Sequence, residues 1–185
     1  MGSSRLRDWA LLGGVTLLLF SLDQITKVLV VQNLAVGESW APVIALEKIF
    51  TITHVRNTGV AFGQLSGLGW LFMLVNVIVV IGVLVYYPRI PRGQWPLQIA
   101  AALILAGALG NVVTRLQTAV EISQVTGSIW TALPKAYVVD FFDFKIWPVW
   151  NIADLCVVTG TAILALMLWR EEKKSAASDA VANEP

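Results

Sequence analysis

Three aspartates sit in an unusually apolar stretch, "YVVDFFDFKIWPVWNIADL" (residues 137–155), at Asp140, Asp143 and Asp154. A carboxylate beside hydrocarbon costs free energy, so its presence there points first to chemistry. Two carboxylates that approach closely at a partly dry site cannot both ionise easily, and they come to share one proton. One can then act as base on a water while the other, protonated, polarises a carbonyl. Such a pair hydrolyses an amide with no metal, thiol or histidine. That matters here, because the chain has one cysteine, Cys156, and one histidine, His54. Neither a thiolate cluster nor a histidine-built zinc site can be assembled from these, and an intramolecular disulfide is impossible. In an extended segment, residues at odd separation face opposite ways, so Asp140 and Asp143 cannot both face Asp154. Periodicity does not choose between them.

Further polar residues interrupt apolar runs. In "LDQITK", Asp23 and Lys27 are four apart on one helix face, acid before base. In "HVRNTGVAFG", Asn57 offers an amide while Gly59 and Gly63 permit tight backbone geometry. In "GALGNVVTR", Gly107, Asn111 and Thr114 or Arg115 fall on one helical stripe. In "NIADL", Asn151 precedes Asp154 by three residues, about 4.5 Å along a helix axis. Each cluster has a structural alternative: an interfacial ion pair, a turn, a snorkelling arginine, or an acid complementing a helix N-terminus.

The elements that must hold these residues lie in a membrane. Of the 185 residues 57% are hydrophobic and only 14% charged, with a mean hydropathy of +0.73. A soluble domain needs far more charge to cover its surface. A span takes about 20 apolar residues, and four runs suffice, near 9–31, 68–87, 95–113 and 149–169. The first could be a cleavable signal peptide, but it continues through "DQITKVLVVQ" without a small-x-small cleavage site. We therefore expect an α-helical integral membrane protein, one domain over residues 1–174, with a disordered tail at 175–185. The net charge of +1 and the lack of a basic patch give no reason to expect a nucleic-acid partner. Basic residues near both termini (Arg5, Arg7; Arg170, Lys173, Lys174) and in "PRIPRGQ" favour the cytoplasmic side for these segments. The loops 32–67 and 114–148 then face outward. The first of them, rich in Val, Ile, Thr and Phe, predicts short strands resting on the membrane surface.

Taken together and in this order, "DQITK", "NTGVAFG", "GALGNVVTR" and "YVVDFFDF…WNIADL" resemble the lipoprotein signal peptidases (signal peptidase II), over Asp23 to about Val158. The resemblance implies a four-helix aspartic peptidase of the bacterial inner membrane, its site at the extracytoplasmic face. It would remove the signal peptide of a diacylglyceryl-modified prolipoprotein, cutting before the lipid-bearing cysteine. The resemblance, not periodicity, selects Asp140 with Asp154 as the catalytic pair and leaves Asp143 structural. It assigns supporting positions to Asp23, Lys27, Asn57, Gly107, Asn111, Arg115 and Asn151, and a small β-rich cradle to the first outer loop. It implies lipidated prolipoproteins and membrane lipid as partners, no cofactor, and a monomer. Two departures stand out. Thr114 occupies a position where the family's GNxxDR motif carries aspartate, which leaves the partner of Arg115 open. Residues 116–136 are longer than the brief link expected there. The rival is a small transporter or proton-conducting channel, with Asp23, Lys27, Arg115 and Asp154 as relay groups. It requires ionisable residues spread through the bilayer, whereas the second and third spans lack central charges. A scaffold that merely binds lipidated partners would not need converging acids.

Overall fold

The computed structural model describes residues 2–59 and 68–182, with side chains for 5–59 and 68–174. Four helices are long and apolar enough to cross a membrane: α1 (Gly2–Asn33), α2 (Gly69–Tyr86), α3 (Trp95–Thr126) and α5 (Ile152–Ala182). Between α3 and α5 lies one short helix, α4 (Ile129–Ala132). Three strands, β1 (Ser39–Trp40), β2 (Thr51–Asn57) and β3 (Val138–Asp143), form an antiparallel sheet in the order β1-β2-β3. This is the helical bundle with a small β cradle that the hydropathy and loop composition predict. The cradle is leaner than expected, because Val43–Phe50 forms a 3-10 turn over Ile44–Leu46 and not a strand. Gly63 and the rest of "VAFG" lie outside the described residues.

Helix α3 is the axis of the bundle. Its apolar window is 67% buried, against 6% for α2 and 17% for α5. Small residues make this possible, since they let backbones approach closely in lipid. A Cβ at Gly107 would strike the Ala153 carbonyl oxygen and sit 2.7 Å from Val157 Cγ2. At Gly160, on the facing helix, it would meet the Ala100 carbonyl at 2.8 Å. The outer helices expose Leu17, Ile78 and Val158, as lipid-facing surfaces require.

The third helix outruns its predicted span by 13 residues, 113 against 126. Hydropathy falls at Arg115, but "LQTAVEISQ" remains good helix-forming sequence, so the backbone continues after the apolar run stops. Gly127, in the left-handed region at φ 74°, ends the helix and donates its N–H to the Ser123 carbonyl. The extension is tied back to the sheet: Thr118 Oγ1 donates to the Tyr137 carbonyl (2.9 Å) and accepts from the Tyr137 N–H (3.1 Å). Helix α5 likewise runs past the predicted end of the fourth span, to Ala182.

Candidate active site

Strand β3 brings Asp140 to the bundle. In the β2–β3 register Val55 faces Asp140 and Asn57 faces Val138, which puts Asn57 diagonally beside Asp140 on one face of the sheet. Asn57 Nδ2 donates to Asp140 Oδ2 at 2.7 Å, and its own Oδ1 accepts the Gly59 N–H at 2.8 Å. Gly59 is held at φ 104°, and a Cβ there would collide with the Phe72 ring. Only glycine closes this turn against α2.

Asp154 arrives on the first turn of α5. Asn151 caps that helix: its Oδ1 accepts the Asp154 N–H (3.0 Å), and Asp154 Oδ2 accepts the Asn151 N–H (3.3 Å). This reciprocal pair satisfies two backbone donors that a helix start otherwise leaves open. Asn151, fully buried, also donates from Nδ2 to Asp140 Oδ1 at 2.6 Å. Asn111 on α3 donates to Asp154 Oδ1 at 2.8 Å, and its Oδ1 lies 3.4 Å from Asn151 Nδ2. Two asparagines therefore connect the two carboxylates by a continuous chain of hydrogen bonds.

Beneath them is a second, charged layer. Lys27 is 3% exposed and donates to Asp23 Oδ2 (2.8 Å), Asn111 Oδ1 (3.1 Å) and Thr114 Oγ1 (3.3 Å). Its three donors are all used. Asp23, 1% exposed, accepts the Ala153 N–H at 2.9 Å through its other oxygen, so α1 caps a backbone donor of α5. Gly107 and Gly110 let α3 approach both neighbours here; a Cβ on Gly110 would lie 2.6 Å from Asp23 Oδ2.

A cavity of about 330 Å³ opens on this constellation. Asn57, Phe72, Asn111, Arg115 and Asp154 line it, whereas Asp140 is 1% exposed and held behind Asn57. Arg115 is 4% exposed and makes no ion pair among the described residues. Its guanidinium carbon stands 5.9 Å from the Phe72 ring centre, its Nε has no partner, and its charge acts on both carboxylates. Burial pushes the Asp140 carboxyl up, to about 7, reinforced by the nearby charge of Asp154 and opposed by the amides of Asn57 and Asn151.

The structure thus gathers Asp23, Lys27, Asn57, Gly107, Asn111, Arg115, Asp140, Asn151 and Asp154 at one end of the bundle. Asp143 is turned elsewhere, bonded to Lys145 Nζ (2.6 Å) and Thr53 Oγ1 (2.9 Å). Burial works upward on that carboxyl, but the Lys145 and Thr53 hydrogen bonds outweigh it and hold it below the usual range. Thr114 donates to the Gly110 carbonyl (2.8 Å) while accepting from Lys27 and Gln24, so it serves the charged layer and not Arg115. The sequence reading missed Gln24, whose amide reaches Asp23 Oδ2 (2.9 Å), the Gly110 carbonyl (3.2 Å) and Thr114 (3.2 Å). Its signal was available, as a polar neighbour of Asp23 inside the same apolar run.

A family profile described as signal peptidase (SPase) II matches residues 15–170. A lipoprotein signal peptidase of Halothermothrix orenii is 40% identical over 159 residues, covering 86% of this chain and 95% of that protein. One of Bacillus subtilis is 36% identical over 164 residues, covering 86% and 94%. Among solved structures, a bacterial membrane enzyme determined by the in meso method at 2.3 Å resolution superposes with a TM-score of 0.70 at 26% identity, covering 94% of this chain and 92% of that one.

Proposed function

Starting from the premise that this chain belongs to the signal peptidase II family, we propose that Asp140 and Asp154 are its catalytic pair. The protein is a multi-pass enzyme of the bacterial inner membrane that removes signal peptides from lipoproteins. The observation that carries the proposal is the hydrogen-bonded chain Asp140–Asn151–Asn111–Asp154 at the wall of a cavity.

Roles follow from the different settings of the two acids. Asp154 lines the cavity and acts as base on a water. Asp140, the carboxyl pushed up by burial, holds the shared proton and gives it to the carbonyl oxygen as the water attacks. As the tetrahedral gem-diol collapses, the proton taken by Asp154 passes to the leaving nitrogen, the C–N bond breaks, and one gem-diol hydroxyl returns its proton to Asp140, which restores the starting pair. The products are the carboxyl end of the signal peptide and a free amino terminus on the lipoprotein. Asn57 stands between Asp140 and the cavity, so its amide must turn toward the substrate backbone for Asp140 to act. Arg115, a buried cation with an unsatisfied Nε, offers the substrate carbonyl a donor.

The substrate is a prolipoprotein carrying a diacylglyceryl group, cut just before the modified cysteine. Apolar residues of the cavity wall, Val157, Val158 and Phe72, suit its lipid-proximal chain. Both termini lie in the cytoplasm, which puts the site at the extracytoplasmic face, in keeping with the basic ends and the "PRIPRGQ" connection. All the site residues come from one chain, so a monomer suffices. A cleavage assay in detergent or lipid, with matched lipidated and unlipidated precursors, tests the reading. Cleavage should require the lipid, and equal rates on the two precursors would refute the substrate assignment.

A further inference from the structure

At the end of the bundle opposite the dyad, a smaller cavity of about 90 Å³ lies between the start of α1, the end of α2 and the start of α3. It is preformed: Tyr87 Oη donates to the Asp8 carbonyl (2.5 Å), and the Trp9 and Tyr87 rings meet at 5.0 Å. Its polar side chains are Arg5, Arg92, Asp8 and Gln98. Neither arginine forms an ion pair with Asp8 or with any other described residue. Gln98 is only 5% exposed and lines this space, so its amide is open to a ligand in the cavity. Two cations beside an acid that makes no ion pair among the described residues form a split electrostatic pattern.

The geometry points to a binding site for a zwitterionic phospholipid headgroup, with its phosphate on Arg5 and Arg92, its ammonium on Asp8, and its interfacial ester oxygens on the Gln98 amide. Guanidinium groups bind phosphate through paired N–H donors. Basic pockets between membrane helices are a recurring form of headgroup site. A purely anionic headgroup would leave the Asp8 carboxylate opposed to it. A soluble phosphate would make no use of the adjoining hydrocarbon. Tyr87 and Ile90 also wall an apolar cleft of about 280 Å³ that continues along Leu97, Ile104 and Leu168, where an acyl chain runs on from the headgroup.

Native mass spectrometry of the delipidated full chain in detergent tests this, with phosphatidylethanolamine, phosphatidylglycerol and inorganic phosphate as probes. Phosphatidylethanolamine should be retained in preference to phosphatidylglycerol, and inorganic phosphate should displace neither. Arg5→Ala and Arg92→Ala should each weaken retention roughly fivefold, and the double variant about thirtyfold. Asp8→Asn should erase the preference for the amine. Both arginines are exposed, and unchanged precursor cleavage by these variants will show that they fold. Retention of all lipids by the double variant as by the parent chain would overturn the site. Displacement by inorganic phosphate alone would make it a soluble-anion site, and no difference between the two lipids would remove the ammonium subsite.

Discussion

At the scale of the residue, the two acids differ more in surroundings than in chemistry. Asp140→Asn and Asp154→Asn should each lower the cleavage rate of a lipidated precursor at least about a thousandfold. Because the two act as a unit, the double variant should be scarcely worse than either single one. Asp143→Asn should keep most of the activity, since its partners are Lys145 and Thr53 and none is shared with the dyad. A dead but folded Asp143→Asn protein would reverse the choice of acid. The raised carboxyl of Asp140 also sets a pH dependence. The native chain keeps this proton between the ordinary value of 3.8 and about 7, where an unfolded chain has lost it. Cleavage should therefore fall as pH climbs through about 7, and the contribution of this group to stability should decline across the same window. A rate profile from pH 5 to 9 that rises steadily would contradict the assignment of Asp140 as the acid.

At the scale of the element, the site depends on how closely α3 approaches α1 and α5. Gly110→Ala forces a Cβ to within 2.6 Å of Asp23 Oδ2 and 3.2 Å of Ala153 Cβ. It should cost about 1–3 kcal/mol, lowering the melting temperature by about 2–4 °C for each kcal/mol in a chain of this size. A thermal melt in detergent at the parent temperature would show that this contact yields freely. The spans and most of the buried polar cluster were legible in the sequence because polar side chains within hydrocarbon contrast so sharply with their neighbours. Gln24 escaped because spacing within one helix pairs Asp23 with Lys27, whereas Gln24 finds Gly110 and Thr114 across on α3. The extension of α3 escaped for a different reason: hydropathy reports where lipid ends, whereas helix propensity decides where backbone hydrogen bonds end. Asp140 and Asp143 could not be told apart from strand alternation alone. The family motif chose Asp140, and the β2–β3 register gives the physical difference, turning one acid toward Asn57 and the other toward Thr53.

At the scale of the whole molecule, the proposed topology of four crossings puts both ends of the described chain on one side, and the proposed dyad and the basic pocket at opposite membrane faces. Single cysteines, Ser3→Cys and Gln124→Cys, in a Cys156→Ser background, should react with a membrane-impermeant thiol reagent from opposite sides of the membrane, the exposed Gln124 position from outside intact cells. Labelling at residue 3 from outside would overturn the proposed topology. The overhang of α3 has a practical consequence. A helix of 32 residues is about 48 Å long, against a hydrocarbon layer of about 30 Å, so its far end stands clear of the bilayer. It stops at Gly127, which faces open space but has a left-handed backbone that calls for glycine to be kept, and Thr118 braces the helix against Tyr137. A rigid helical partner spliced in at that tip would give a 20.2 kDa protein the bulk and asymmetric outline that single-particle imaging needs, without touching the chemistry below.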